Sequence, residues 1–143
     1  MYTLKLVNIV NKKRKIMDKI IKPFGFTRIE WQLLTCLSIN PQNITQKKLN
    51  QLVDNDVAFI TRALDKLEEK KLIERHINPQ DKRQRFITLT KKGQSIANKL
   101  YAQSMKLNDI CIKGFSKKEL KVLENLTQRI ENNIENYEVV NDE

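Results

Sequence analysis

The stretch INPQDKRQRFITLTKKG, residues 77–93, decides the fold of this chain. It contains a proline and a glycine, in a sequence that has only three of each. Within it the run RFITLT, residues 85–90, alternates at a period of two residues, which is typical of a strand. The run LIERHI at 72–77 is the expected partner strand. The sequence therefore predicts a β-hairpin, with residues 78–85 as its basic loop and exposed flanks.

Two predicted helices precede this hairpin. Thr45 can cap a short helix that runs through Val53, the residues DND at 54–56 make a turn, and Asp56 can cap a helix over 57 to about 70. Two helices, a tight turn and a basic hairpin are the element order of a winged helix-turn-helix. A pair of surface helices unrelated to binding is the alternative, and helical spacing alone does not decide between the two.

The second of these helices has one apolar face and one face that suits a DNA groove. Ile60, Leu64 and Leu67 recur at helical spacing and are expected to point inward. On the opposite face, an arginine can reach guanine in the major groove and methyl-bearing side chains can meet thymine methyl groups. The candidate recognition residues are Val57, Ala58, Thr61 and Arg62, with Asp65 on the same face.

Composition and charge narrow the class of partner. The chain has 143 residues, 40% hydrophobic and 31% charged, which fits one compact and mostly helical domain. Its net charge is +10, and residues 131–143 hold five acidic and no basic side chains, so the rest carries +15. Such a body favours a polyanion, through counterion release. Double-stranded DNA fits, but a basic helix such as 4–22 can also lie on an anionic membrane surface or bind a protein partner.

Several other functions are not expected. The longest apolar run, LLTCL at 33–37, is too short to cross a bilayer, so we expect a soluble, cytoplasmic protein. We expect no enzymatic activity, because the sequence shows neither a Gly-rich phosphate loop nor a nucleophile beside a general base. We expect no metal or other cofactor, because the sequence shows no cluster of ligand residues. Cys36 and Cys111 are expected to be buried structural residues, and His76, the single histidine, to pack or touch a phosphate.

Residues 60–93, ITRALDKLEEKKLIERHINPQDKRQRFITLTKKG, resemble the core signature of the MarR family of transcriptional regulators. In that family the hairpin bears Asp-x-Arg and closes with Leu-Thr-x-x-Gly. The matching residues here are Asp81, Arg83, Leu89, Thr90 and Gly93. The run FGFTRIEWQLLTCL at 24–37 is similar to the family's entry to its second helix. The chain departs from the family at 57–59, where relatives carry a polar run, and at Lys71, where relatives usually have glycine.

The resemblance implies a mainly α fold with a small β-hairpin wing, in a single domain over 1–143. A winged helix-turn-helix occupies about 27–92, dimerisation helices occupy 1–22 and 93–137, and 138–143 form an acidic tail. It further implies a homodimer whose two heads read a pseudo-palindromic operator in double-stranded DNA, about 34 Å apart. Relatives usually repress, and they release DNA when a small phenolic or amphipathic effector binds or a cysteine is oxidised.

The resemblance also assigns roles within the wing. Arg83 lies at the tip, where it can enter a minor groove, and Lys82 and Arg85 flank it. Asp81 is expected to pair with a neighbouring guanidinium and to brace the loop. For the effector pocket, the resemblance nominates Phe24, Trp31 and Tyr101, and ordinary packing is the alternative for each of them.

Overall fold

The computed structural model describes residues 2–40, 44–53 and 55–141, with side chains described for 4–40, 44–53 and 55–137. The chain forms two compact units, one up to Leu107 and one from Asn108 onward. The predicted turn at 54–56 and the predicted acidic tail lie partly outside the described residues.

The element order is that of a winged helix, with one strand more than the sequence predicted. The elements are α1 (Tyr2–Ile21), a 3-10 turn (Lys22–Phe24), α2 (Arg28–Ile39), β1 (Ile44–Thr45), α3 (Gln46–Leu52), α4 (Val57–Glu69), β2 (Ile73–Ile77), β3 (Arg85–Leu89), α5 (Lys91–Cys111) and α6 (Lys117–Asn141). The structure is mainly helical with a small antiparallel sheet, which confirms the predicted fold class.

The sheet has the strand order β1-β3-β2, and both pairings are antiparallel. Ile73 pairs with Leu89 and Ile77 with Arg85, so β2 and β3 form the predicted hairpin. On the other side of β3, Ile44 pairs with Ile87. The added strand β1 is only two residues long, and two residues are too few to show an alternating pattern.

The core of the first unit is built from the residues that recur at helical spacing. Ile60, Leu64 and Leu67 on α4 have no exposed surface, as predicted. The core comprises Met17, Ile21, Leu33, Leu34, Leu37, Ile44, Leu49, Val53, Ile60, Ala63, Leu64, Leu67, Leu72, Ile73, Ile87, Ala97, Leu100 and Leu107. Because α4 contributes four of these side chains, its orientation is fixed by the core, and its opposite face is left to solvent.

The start of α2 is joined to the end of α4 by a buried carboxylate. Thr27 caps α2, and the backbone N–H of Thr27 donates in return to Glu30 Oε2 at 3.2 Å. The same Glu30 oxygen lies 3.2 Å from Lys70 Nζ, and the Glu30 side chain is only 3% exposed. Lys70 also donates to the carbonyl of Gly25. One lysine at the end of α4 therefore holds the beginning of α2.

The junction between α4 and α5 is unusually close. Lys71 has a left-handed backbone with φ 58°, at the position where the family usually has glycine. The Thr90 hydroxyl donates to the carbonyl of Lys71 at 2.8 Å, and the N–H of Gly93 donates to that hydroxyl at 3.0 Å. A Cβ at Gly93 would lie 1.9 Å from the carbonyl oxygen of Leu72. The glycine of the Leu-Thr-x-x-Gly motif is thus required by the contact of two backbones.

The second unit contains the end of α5 and the long helix α6. Ser116 and Glu119 cap α6, because both the N–H and the hydroxyl of Ser116 donate to Glu119 Oε2, at 2.8 and 2.7 Å. The helix exposes a row of apolar residues at spacings of three and four, each between 42% and 71% exposed. They are Leu123, Leu126, Ile130, Ile134 and Tyr137.

Candidate nucleic-acid interface

Helix α4 presents its first two turns to solvent. Asp56 caps the helix, since its Oδ1 accepts the N–H of Ala58 at 2.8 Å. Val57, Ala58 and Arg62 are exposed on this part of the helix, while Thr61 is half-buried. The structure therefore brings the four candidate recognition residues to one end of one helix, on the side away from the core.

The hydroxyl of Thr61 makes two hydrogen bonds inside the protein. It donates to the carbonyl of Val57 at 2.9 Å and accepts a hydrogen bond from Gln46 Nε2 at 3.0 Å. The hydroxyl proton is therefore committed inside the protein, and the methyl group is the part of the side chain that can contact a thymine methyl group. Gln46, the first residue of α3, thus sets the rotamer of a candidate recognition residue.

Two arginines near α4 have different surroundings. Arg75 on β2 forms ion pairs with Asp65 at 2.7 Å and with Glu68 at 2.8 Å, and its side chain is only 16% exposed. The guanidinium of Arg62 instead lies over the ring of Phe59, 4.6 Å from its centroid. Asp65 was expected beside the recognition residues, and its negative charge is neutralised by Arg75. Arg62 takes part in none of the ion pairs formed among the described residues.

The wing loop is held by Asp81, although not in the way the sequence suggested. Its Oδ1 accepts the backbone N–H of Arg83 at 3.0 Å, and its Oδ2 accepts Gln84 Nε2 at 2.9 Å. The expected guanidinium partner was wrong, because an Asx-type turn satisfies the carboxylate locally. Lys82, Arg83 and Arg85 are all exposed, so their charges face solvent.

A groove of about 410 Å³ lies between α3 and the wing. It is lined by Thr45, Gln46, Lys47, Asn50, Arg83, Gln84 and Arg85. Cations line both sides, and Gln46 in its floor is the residue that contacts Thr61. The sequence argument missed the contribution of α3, namely Gln46, Lys47 and Asn50. The spacing of polar residues in a seven-residue helix does not say which side meets the wing; only the two lysines of QKK at 46–48 gave a signal.

The cysteines and the histidine add no second site. Cys36 is half-buried, and burial raises the pKa of its thiol, against the effect of a hydrogen bond from Asn40. Cys111 is exposed at the end of α5, so the expectation that it is buried was wrong. His76 Nε2 lies 3.2 Å from Thr88 Oγ1. Across the described residues, no group of three His, Cys, Asp or Glu side chains is placed to hold a metal.

Comparison with known proteins agrees with this arrangement. The sequence model of the MarR family matches residues 26–84, which span α2 through the wing loop. This segment is similar to the MarR-family domain. A mutant E. coli MarR in complex with operator DNA is 26% identical, with a TM-score of 0.76, and the match covers 91% of this chain and 94% of that one.

Two further solved structures share the MarR-type fold. The transcriptional regulator SlyA is 25% identical, with a TM-score of 0.80 over 94% of this chain and 98% of its own. The S. aureus MepR–DNA complex is 22% identical, with a TM-score of 0.81 over 92% of this chain and 97% of its own. MarR-family proteins are transcriptional regulators and not enzymes. The chain is thus similar to proteins described as transcriptional regulators, two of them solved with DNA. In the part of the chain that the structure describes, no helix is long and apolar enough to cross a membrane.

Proposed function

We propose that the protein binds double-stranded DNA in a sequence-specific manner and represses transcription from a pseudo-palindromic operator, as a homodimer in the cytoplasm. The observation that carries this proposal is the continuity of one surface. The exposed start of α4 adjoins the cationic groove between α3 and the wing, with the Gln46–Thr61 hydrogen bond between them. A duplex laid on this surface meets recognition residues and backbone-binding cations together.

The roles of the two arginines follow from their places on this surface. Arg62 stands on the exposed face of the recognition helix, where a guanidinium can bind the O6 and N7 of guanine. Arg83 stands in the wing loop next to Lys82, where a cation can enter a narrow minor groove or bind phosphate. We assign specificity to Arg62 and general affinity to Arg83.

The proposal of a homodimer is supported by apolar surface that the single chain leaves uncovered. Among the side chains of α1 that the structure describes, those of Met17 and Ile21 are buried, whereas six apolar side chains are at least 40% exposed: Leu4, Leu6, Val7, Ile9, Val10 and Ile16. The row on α6 is a second such surface, within the other unit. Apolar rows of this extent are typical of association between copies of a chain. Two heads then read successive major grooves.

A response to a small effector is supported by a cavity between α1 and α2. It has a volume of about 290 Å³ and is lined by Val10, Lys13, Arg14, Met17, Arg28, Trp31 and Gln32. Apolar side chains combined with cations suit an aromatic or amphipathic acid. Of the three nominated residues, Trp31 lines this cavity, whereas Phe24 and Tyr101 do not. We propose that an effector bound there shifts the head and releases DNA.

The test is a salt titration of DNA binding, with duplexes selected by the purified protein from a random pool. Arg62→Ala should weaken binding to the selected duplex by about 1 to 3 kcal/mol and should weaken binding to a scrambled duplex much less. Arg83→Ala should weaken both and lower the slope of log affinity against log salt by about one. Lys99→Ala, which removes an exposed charge from α5, is the matched control and should leave both duplexes unchanged.

Two results would contradict the proposal. If the wild-type protein selects no sequence and floats with anionic vesicles, the exposed basic surface serves lipid instead of DNA. If Arg83→Ala changes neither affinity nor slope, the wing does not contact the duplex.

A further inference from the structure

Phe59 is an aromatic residue on the recognition helix that the core does not use. It lies on the first turn of α4 and is 56% exposed, between buried Ile60 and exposed Ala58. The Phe59 side chain is not part of the hydrophobic core of the first unit. It also falls in the run 57–59, where this sequence departs from the polar run of the family.

The ring of Phe59 has one defined partner, the guanidinium of Arg62 one turn further along α4. The guanidinium carbon lies over the ring at 4.6 Å from the centroid. Arginine can stack on an aromatic face while its fork of N–H donors stays available for bidentate hydrogen bonds. The contact therefore restricts the rotamers of Arg62 without occupying its donors.

Two of the acidic groups near Arg62 are held by other cations. Asp65, one turn further along, pairs with Arg75 at 2.7 Å. Glu30, which lines the same flank of α4, is buried and pairs with Lys70 at 3.2 Å. Among the described residues Arg62 joins no ion pair, and the ring of Phe59 is the contact found for its guanidinium.

We propose that Phe59 is a positioning residue for specificity: its ring holds the guanidinium of Arg62 in place for a bidentate contact with a guanine. The inference rests on the proposed function, in which Arg62 reads a base. Without the ring, the long arginine side chain loses more rotamer freedom when it binds, and this cost falls on the selected sequence alone.

The experiment compares Phe59→Leu, which keeps an apolar side chain, with Phe59→Tyr, which keeps the aromatic face. The measured quantity is the ratio of dissociation constants for the scrambled and the selected duplex. Phe59→Leu should lower this ratio about two- to fivefold, and Phe59→Tyr should leave it within error of wild type. Since the site is exposed, both variants should fold, and circular dichroism checks this.

The same substitutions in an Arg62→Ala background separate positioning from direct contact. If Phe59 acts through Arg62, Phe59→Leu has no effect on the ratio in that background. An equal loss in both backgrounds would mean that the ring itself touches DNA, and it would overturn the inference. An unchanged ratio for Phe59→Leu in the wild-type background would overturn it as well.

A set of modified duplexes identifies the base that is read. Each guanine of the selected duplex is replaced in turn by 7-deazaguanine, which lacks the N7 acceptor. At one of the replaced guanines, neither Arg62→Ala nor Phe59→Leu should any longer change the ratio of dissociation constants. If the two substitutions lose their effects at different guanines, the two side chains act separately. Failure of the proposed function is distinguishable, because the wild-type protein would then not discriminate the selected duplex from the scrambled one.

Discussion

Lys71 is a residue whose backbone conformation does not suit its side chain. Lys71 adopts φ 58°, a left-handed conformation that costs a residue with a Cβ more than it costs glycine. The side chain of Lys71 is exposed, so it offers no compensating core packing. The strain is accepted because the chain must turn sharply between α4 and β2.

Replacing Lys71 with glycine should therefore stabilise the protein. We expect a gain of about 1 kcal/mol in the free energy of unfolding, from relief of the left-handed strain. Urea unfolding followed by circular dichroism measures it. Lys71→Ala is the control, since it removes the charge but keeps a Cβ and should gain little. Equal gains from both variants would show that charge, not backbone conformation, is the cause.

For single residues, the sequence predicted which side chains share a helix face better than it predicted which side chains they contact. Val57, Ala58, Thr61 and Arg62 were predicted from helical spacing, and they do lie together at the start of α4. The stacking of Arg62 on Phe59 and the hydrogen bond of Gln46 to Thr61 depend on rotamers and on a second helix, so spacing within one helix could not reveal them. For the same reason the partner of Asp81 was wrong.

Elements were predicted more accurately, because helices and strands of more than four residues carry a periodic signal. The helices predicted at 4–22 and at 57 to about 70 lie within two residues of the observed Tyr2–Ile21 and Val57–Glu69. Strand β1 was missed, and it closes the sheet on the far side of β3. The groove between α3 and the wing depends on this pairing, so the backbone-binding part of the interface could not be derived before the structure.

The contact between Gly93 and Leu72 makes a prediction about the α4–α5 junction. In Gly93→Ala the new methyl group would meet the Leu72 carbonyl, so α5 must move away from the head. We expect a loss of about 3 kcal/mol in the free energy of unfolding, measured by urea denaturation. Gly114→Ala is the comparison, because Gly114 has φ 87° but nothing within 4 Å of the added carbon. A smaller loss at Gly93 than at Gly114 would contradict the steric explanation.

The ion pair between Asp18 on α1 and Arg28 on α2 gives a pH-dependent contribution to stability. The hydrogen bonds of Arg28, one of them 3.0 Å from Nε to Asp18 Oδ1, hold the pKa of Asp18 below its ordinary 3.8. Because the folded pKa is lowered, the contribution is present above pH 3.8 and is lost as the pH falls through the folded pKa.

Asp18→Asn should therefore destabilise the protein at pH 7 and be nearly neutral at pH 2. Both side chains are more than 40% exposed, so solvent screening limits the loss at pH 7 to less than about 1 kcal/mol. Urea unfolding at a series of pH values measures the difference from wild type. A difference that persists unchanged at pH 2 would show that the amide disturbs packing and that charge is not the cause.

At the scale of the whole molecule, the surplus apolar surface decides the expected state of association. Deleting residues 1–22 removes the exposed row on α1 but also removes Met17 and Ile21 from the core. We expect this truncated protein to be insoluble or unfolded. Analytical ultracentrifugation and circular dichroism decide the matter. A folded, monodisperse monomer that binds one half-site would contradict this expectation, because it would show that the DNA-binding region folds without α1.

A milder change keeps the core intact and tests the other unit. Leu126→Glu with Ile130→Glu places two charges on the exposed row of α6 and replaces no buried residue. The proposed dimer should dissociate, with a fall in affinity for the full operator. Lys121→Glu, an exposed position on the same helix, is the control for added negative charge.

The close junction between α4 and α5 couples the motions of these two helices within the first unit. Besides the backbone contact at Gly93, Thr90 holds Lys71 and Lys92 Nζ holds the carbonyl of Lys70 at 3.2 Å. From Lys91 to Leu107 the arm of α5 is about 24 Å long, at 1.5 Å per residue. A displacement of about 1 Å at its far end turns its root by about 2°. The recognition helix α4 ends at this junction, so a rotation of α5 about the junction also rotates α4.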